Sequence, residues 1–202
     1  MNWLAHIFLS ENNIESQLGN LLNDACKGRA WHGASHQLKQ GMKIHQQVDA
    51  FTDSHDMFKK SKSLLGRGHL RGVVVDLVFD LLLTRHWQRY SLVDRNVFLD
   101  DFYGNAKQAI NAYPDGIQKF VNGLIQSDHL RNYQSLDDLE KTFMRVDKRL
   151  SPRLLQKEST HMYFSLVKKE INALEQNFLI FFPELLNHVK SGSNPGQLTH
   201  WK

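Results

Sequence analysis

The sequence is poor in the features that mark secreted and membrane proteins. Its 202 residues include one cysteine, Cys26, which cannot form a disulfide within the chain. No apolar run approaches the roughly 20 residues that a membrane-spanning helix requires. A secretion signal carries basic residues before its apolar stretch, and the first segment, MNWLAHIFLSENN, has none there. We therefore expect a cytoplasmic protein without a membrane span.

Concentrated charge of one sign is also lacking. The net charge is +4, but the lysines and arginines are scattered, without a long basic tract. The motifs of RNA-binding and helix-turn-helix domains are absent. A basic balance favours an acidic partner through electrostatic steering, whereas the scattered pattern does not favour nucleic acid.

Proline is scarce too, and helical periodicity takes its place. Only four prolines occur, all near the expected ends of segments. Hydrophobic residues make up 41% and charged residues 23%, which is ordinary for a globular domain. Apolar residues recur at three- and four-residue spacing, and this predicts helices at about 13–28, 36–51, 68–90, 93–113, 117–127, 136–149 and, as two helices or one kinked helix, 152–189. We predict one all-α domain, a helical bundle over residues 1–190, followed by a flexible tail over 191–202.

The segment VVVDLVFDLLL places two carboxylates, Asp76 and Asp80, among apolar side chains. Their spacing of four puts them on one face of a helix, but also on one face of a strand. The lack of glycine and proline up to Tyr90 favours a helix. A buried, isolated carboxylate costs several kcal/mol, so each needs a cationic partner. Two answers fit, a bound metal ion or one of the nearby arginines Arg71, Arg85 and Arg89.

Three further segments carry histidine or aspartate in apolar surroundings. His45, Asp49 and Asp53 repeat every four residues and so share one face of a helix. His6 interrupts WLAHIFL, and Asp24 ends the apolar turn of GNLLNDACKG. Each has an ordinary explanation, as an intrahelical pair, a core histidine or a helix cap. Together with the two aspartates above, they supply the mixed imidazole and carboxylate ligands of a divalent ion such as Mn²⁺, Mg²⁺, Fe²⁺ or Zn²⁺.

Four motifs together resemble a known family. MNWLAHIFLS, LGNLLNDACKG, GMKIHQQVDAFTDSH and VVVDLVFDLLLTRHW follow one another in the order and spacing of the acyl carrier protein phosphodiesterases. The resemblance is specific over residues 1–90 and continues weakly, as a helical pattern, to about residue 188. It implies an enzyme that removes the 4'-phosphopantetheine arm from holo acyl carrier protein with a metal-activated water, Mn²⁺ being the preferred ion.

The resemblance also limits which residues carry over. Members of the family are similar to HD-type metal-dependent phosphohydrolases, which are all-helical. This chain lacks the adjacent His-Asp doublet of that wider group, since His45 is followed by Asp49 four residues later. Only positions that match the narrower family are transferred, namely His6, Asp24, His45, Asp49, Asp76 and Asp80, with Asn20, Asp53, His86 and Trp87 matching without a definite role.

These positions lead to a site hypothesis. We expect the metal ligands to be Asp24, His45, Asp49 and Asp76. His6 and Asp80 are then expected to be catalytic, by orienting the ligands or moving protons. Acyl carrier proteins are small and strongly acidic, so basic side chains near the site would steer the partner, and the candidates are Lys27, Lys43, Arg67 and Arg71.

Two alternatives stay open at this point. The same ligands would serve an HD-like phosphohydrolase that acts on a nucleotide or another small phosphoester. A non-catalytic helical module would instead use its basic face to bind an acidic protein or nucleic acid, and its aspartates would be paired with arginines.

Overall fold

The computed structural model describes residues 1–202 and contains helices but no strands. Single 3₁₀ turns and an isolated bridge between Ser91 and Trp201 complete the secondary structure. The helices are α1 (Trp3–Phe8), α2 (Ile14–Leu22), α3 (His36–Ser54), α4 (Asp56–Leu64), α5 (Arg71–Arg85), α6 (Trp87–Tyr90), α7 (Arg95–Ala109), α8 (Asp115–Gln126), α9 (Leu136–Asp147), α10 (Pro152–Leu155) and α11 (Phe164–Gly192). The all-α prediction is confirmed. No helix is both long and apolar enough to cross a bilayer.

Helices α2 and α3 cross at a very close contact that depends on two glycines. A Cβ atom added at Gly19 would lie 2.0 Å from the carbonyl oxygen of Leu38, and one added at Gly41 would lie 2.0 Å from that of Ser16. These distances are far below van der Waals contact, so the backbones can approach only where side chains are missing. The crossing brings the carbonyl of Asn20 against the His45 ring, 2.7 Å from Nδ1.

Helix α5 is buried along most of its length, and it is the helix predicted for VVVDLVFDLLL. The strand alternative is therefore wrong. The prediction of one continuous helix over 68–90 is also wrong, because α5 ends at Arg85 and a separate helix, α6, starts at Trp87. Between them the His86 ring binds Glu175 of α11 at 2.6 Å, and Arg85 binds the second oxygen of Glu175 at 3.0 Å. These two contacts hold the break against α11.

The C-terminal region has one of the two forms predicted for residues 152–189, two helices rather than one kinked helix. A four-residue helix, α10, comes first, and α11 then runs for 29 residues through Pro183. Proline removes one backbone hydrogen bond from a helix. Here Phe181 and Phe182 are fully buried beside it, and this packing keeps the helical turn in place.

The C-terminal tail also differs from the expectation of a flexible segment. Leu198, His200 and Trp201 are buried. The Nε1 of Trp201 donates to the carbonyl oxygen of Phe8 at 2.9 Å, and His200 Nε2 lies 2.8 Å from the same oxygen. Phe8 ends α1, where helix carbonyls lack partners within the helix. The tail therefore packs on α1 because it supplies donors for an otherwise unpaired carbonyl and aromatic rings for the core.

Candidate metal centre

Helices α1, α2, α3 and α5 meet at a cluster of imidazoles and carboxylates. The cluster is centred on His6 of α1 and on His45 and Asp49 of α3, whose potential ligand atoms all lie within 4.8 Å of one another. Both histidines are buried, and Asp49 is partly exposed. Buried imidazoles beside a carboxylate that water can reach are typical of a metal site with an open side.

The orientation of His45 is set by the main chain of α2. Its Nδ1 lies 2.7 Å from the carbonyl oxygen of Asn20 and must donate to it, since a carbonyl can only accept. Its Nε2 then faces Asp49 Oδ2 at 3.0 Å and Asp24 Oδ1 at 3.2 Å. Burial lowers the pKa of His45, but the two aspartates outweigh it and raise the pKa to about 9. A cation, either a proton or a metal ion, is therefore required at Nε2.

The orientation of His6 is set by the side chain of the same asparagine. Asn20 donates through Nδ2 to Ser10 Oγ at 3.0 Å, and Ser10 Oγ donates to the His6 carbonyl at 2.9 Å. The Oδ1 of Asn20 is thus left to accept from His6 Nδ1 at 2.7 Å. The Nε2 of His6 faces Asp49 Oδ1 at 3.3 Å and the Met1 carbonyl oxygen at 3.0 Å. Burial lowers the pKa of His6 to about 4, so its Nε2 carries a lone pair at neutral pH.

Asp76 lies beside this cluster and lacks a proper hydrogen-bond partner. Its Oδ1 is buried without a hydrogen bond of acceptable geometry. The nearest cation is the amino group of Met1, 3.1 Å from Asp76 Oδ1 and 3.3 Å from Asp49 Oδ1. Although the two groups are close, their alignment is poor, and hydrogen bonds weaken steeply with misalignment. Burial raises the pKa of Asp76, which means that its ionised form needs more positive charge than it has.

Asp80, one turn further along α5, has a different environment. It is completely buried, and its two oxygens accept from the backbone N–H groups of Leu4 and Ala5 at 2.9 and 3.1 Å. Burial raises the pKa of Asp80 to about 7, although the two N–H groups act in the opposite direction. Asp80 therefore caps the start of α1 and fixes the helix that carries His6.

The arginine-paired alternative for the two aspartates is wrong. Arg71 donates to the main-chain carbonyls of Gly68, Lys62 and Gly66, and Arg85 binds Glu175. Neither Asp76 nor Asp80 forms an ion pair with an arginine. Without an arginine partner, Asp76 is left beside His6, His45 and Asp49, and this mixture of imidazoles and carboxylates fits the donor set of a divalent ion.

The remaining predicted residues lie around or away from the cluster. Asp24 reaches the cluster from an exposed position after α2, whereas Asp53 is exposed one turn beyond Asp49. His86 binds Glu175, and Trp87 is a core residue that donates to the Val93 carbonyl. Among the predicted carrier-binding residues, three are exposed and one, Arg71, is tied to the carbonyls named above; the exposed ones are Lys27, Lys43 and Arg67. Sequence reasoning left Asn20 without a role, and only its match to the family motif marked it.

The chain is similar along most of its length to known proteins of one family. The family model described as acyl carrier protein phosphodiesterase matches residues 1–185. Proteins named acyl carrier protein phosphodiesterase are similar along nearly the whole chain. The one from Serratia proteamaculans is 27% identical over 94% of this chain and 98% of its own length. The one from Yersinia pestis is 27% identical over the same shares, and the one from Escherichia coli is 26% identical over 94% and 97%.

No solved structure is significantly similar to this chain. The family model nevertheless covers far more than half of the 202 residues, and it confirms the resemblance seen in the first 90 residues. The chain belongs to the acyl carrier protein phosphodiesterase family.

Proposed function

We propose that this protein is a metal-dependent phosphodiesterase that hydrolyses the 4'-phosphopantetheine arm from holo acyl carrier protein. The observation that carries the proposal is the convergence of two imidazole Nε2 atoms on oxygens of Asp49, with both rings held by Asn20. Family membership identifies the substrate class. The products are apo acyl carrier protein and 4'-phosphopantetheine.

The residues that would hold the metal are His6, His45 and Asp49, completed by Asp76 and Asp24. The sequence favours a catalytic role for His6. Because the Nε2 atom of His6 lies close to the ligand atoms of His45 and Asp49, we propose His6 as a metal ligand instead. When bound, a divalent ion lowers the pKa of water and neutralises phosphoryl oxygens. The identity of the ion as Mn²⁺ stays a prediction.

Other residues prepare this donor set. Asn20 fixes the tautomer of each imidazole, so that both lone pairs point to the same place. Asp80 fixes the position of α1 through its two backbone contacts. Asp24 and Asp49 are the most accessible ligands, with side chains 78% and 41% exposed. They define the side from which a phosphodiester reaches the centre.

The carrier would approach this accessible side. Lys27 follows Asp24 by three residues, and Lys43 is an exposed residue of α3, the helix that carries His45 and Asp49. Their exposed ammonium groups would attract the acidic carrier. We retain Arg67 as a steering residue and reduce the role of Arg71, whose guanidinium already binds three carbonyls. Such a protein, without a membrane span, would act on the carrier in the cytoplasm.

The test is incubation of the purified protein with holo acyl carrier protein and Mn²⁺, followed by mass spectrometry of the carrier. A mass loss equal to the phosphopantetheine arm is the expected result. The variant Asp49→Asn should lose this activity and bound Mn²⁺, because the amide cannot supply the charge of the carboxylate. Asp53→Asn is the matched control, one turn further along the same helix and exposed.

Three results would contradict the proposal. An intact holo carrier at all metal concentrations would exclude the activity, and turnover of nucleotides instead would indicate the small-phosphoester alternative. Wild-type activity in Asp49→Asn would remove this residue from the site. No stoichiometric metal in the active protein would exclude the metal.

A further inference from the structure

A cleft lies directly beside the candidate metal centre, between the start of α1, helix α5 and helix α9. Its apolar side is formed by Trp3, Leu77 and Val146. Its polar side carries Tyr133 and Arg145. The cleft itself encloses only about 80 Å³. Past Trp3 it opens into a shallow groove of about 480 Å³ that also borders Phe120, and the volume of this groove is in the range of small-molecule sites.

Two direct chain connections link this cleft to the metal centre. Asn2 and Leu77 line the cleft, and each follows a residue of the cluster, Met1 and Asp76. Neighbouring Cα atoms are 3.80 Å apart, so the cleft begins one residue from the donor set. The distance from the cluster to the lining of the cleft is therefore short compared with the length of an extended phosphopantetheine arm.

The polar groups of the cleft are neutral amides and hydroxyls at the base and arginines at the mouth. At the base, Asn2 donates to the Tyr133 hydroxyl at 2.6 Å. At the mouth, Arg145 donates to Thr142 Oγ1 at 2.6 Å and lies 3.0 Å from Nδ1 of His129. These partners leave Arg145 without a carboxylate, although arginine is ordinarily paired with one where it is partly buried.

Arg149 is the second arginine at the mouth. Its guanidinium carbon lies 5.9 Å from the centre of the Trp3 ring, within the range of a cation–π contact. The guanidinium forms no hydrogen bond or ion pair with another residue, and Arg149 is exposed and lines both the cleft and the groove. The guanidinium donors at the mouth thus remain available to acceptor oxygens of a ligand.

We propose that this cleft binds the pantetheine arm of the substrate, an inference that rests on the proposed function. The arm is a narrow, uncharged chain with a gem-dimethyl group, a hydroxyl and two amides. Its methyl groups match Trp3 and Leu77, and its amides and hydroxyl match the hydroxyl and amide groups of the cleft. Arg149 donates to acceptor oxygens along the arm. A whole carrier helix, about 10–12 Å across with its side chains, is too large for a cleft of about 80 Å³.

Two probes separate this proposal from docking of the carrier protein itself. Free 4'-phosphopantetheine is the arm without the carrier, and apo acyl carrier protein is the carrier without the arm. Binding of each to the Mn²⁺-loaded protein is measured by calorimetry. In Arg149→Gln, affinity for 4'-phosphopantetheine should fall about tenfold, the loss of one charge-assisted hydrogen bond, while affinity for the apo carrier stays the same.

Two further variants complete the test. Arg153→Gln removes the same charge from an exposed position outside the cleft, so its affinity for 4'-phosphopantetheine should equal that of the wild type. Val146→Phe fills the cleft without changing charge, and it should reduce binding of the arm and raise KM for the holo carrier. Hydrolysis of a generic aryl phosphodiester with Mn²⁺ should be unchanged in both cleft variants, which shows that the fold and the centre are intact.

Failure of this inference is distinct from failure of the proposed function. Cleavage of the holo carrier by a wild type that does not bind 4'-phosphopantetheine would overturn the cleft assignment alone. Weaker binding of the apo carrier, with unchanged binding of the arm, in Arg149→Gln would assign this face to the carrier instead and would also overturn it. Binding of 4'-phosphopantetheine that depends on Arg149, in a protein that leaves the holo carrier intact, would support the cleft and reject the activity.

Discussion

The imidazole rings of His6 and His45 stack face to face, with centroids 4.0 Å apart and planes 12° from parallel. Two charged imidazoles could not lie so close without strong repulsion. The pKa values agree with this, since burial lowers that of His6 to about 4 while Asp24 and Asp49 raise that of His45 to about 9. The stacked pair presents both Nε2 atoms on one side, and its geometry depends on the two oxygens of Asn20.

Replacing Asn20 should weaken metal binding without unfolding the protein. In Asn20→Ala the main-chain bond to His45 remains, but His6 loses the acceptor for its Nδ1–H. We expect a loss of about 10–100-fold in Mn²⁺ affinity, the usual effect of removing a residue that orients a ligand. Titration calorimetry measures it, with Asn12→Ala, an exposed asparagine in the loop between α1 and α2, as the control. Equal affinity in the two variants would show that His6 does not need Asn20.

The exposed lysines near Asp24 should act on binding of the carrier. In the double variant Lys27→Asn and Lys43→Gln, KM for the holo carrier should rise several-fold with little change in kcat, because long-range attraction is lost while the donor set is untouched. Asparagine suits position 27, whose φ is +52°. KM of the wild type should also rise with salt, and less steeply in the variant.

The control for the lysine experiment is Lys107→Gln, which removes the same charge from an exposed residue on α7, a helix that carries no candidate ligand. A KM that does not respond to salt, or an equal response in the double variant and wild type, would contradict electrostatic docking through these lysines.

The close crossing of α2 and α3 should not tolerate a methyl group. In Gly19→Ala the added Cβ would overlap the Leu38 carbonyl, and the helices would have to separate. We expect a loss of at least about 3 kcal/mol in the free energy of unfolding, the upper range for overpacking, and loss of Mn²⁺ binding because Asn20 shifts with α2. Denaturant unfolding measures the first effect.

Gly104→Ala is the matched control for the crossing. Gly104 lies inside α7 with no atom near the position of an added Cβ, so alanine should stabilise by about 0.5–1 kcal/mol through its helix propensity. Equal unfolding free energies for the Gly19 and Gly104 variants would show that α2 and α3 can move apart freely.

His200 should make stability dependent on pH. Its ring is buried against Phe8, and burial lowers its pKa below the ordinary value. The unfolded chain then binds a proton at His200 near pH ~6.5, whereas the folded chain binds it only at lower pH. Above that pH, His200 has no effect on the free energy of unfolding. Below it, this free energy decreases until the pH has passed the lowered pKa of the folded chain.

The variant His200→Gln isolates this effect, because its amide can still donate to the Phe8 carbonyl but does not titrate. Urea unfolding between pH 7 and 5 should show a shallower decline in the variant than in the wild type. His6 also has a lowered pKa, but it titrates in both proteins and cancels in the comparison. Parallel curves would mean that the pKa of His200 is the same in the folded and unfolded chains.

The positions of the main helices, and the imidazole and carboxylate ligands that they carry, could be predicted from the amino-acid sequence alone. Apolar spacing identified α3 and α5, and the four-residue spacing placed His45 with Asp49 and Asp76 with Asp80 on shared faces. Such patterns report which side of one helix is buried or polar. They also led to the right family, because the motifs lie in helices that carry the donor residues.

Which candidate ligand side chains lie close together became clear from the tertiary structure and not from the sequence. Asp76 and Asp80 look equivalent in sequence, yet one faces the cluster and the other caps α1. Asn20 holds two imidazoles through one side-chain and one main-chain oxygen, which no spacing rule can indicate. The positions of His6 and of the buried tail could not be predicted for the same reason. Contacts between segments far apart in the chain depend on how helix faces pack, and the periodicity within one helix does not identify its neighbour.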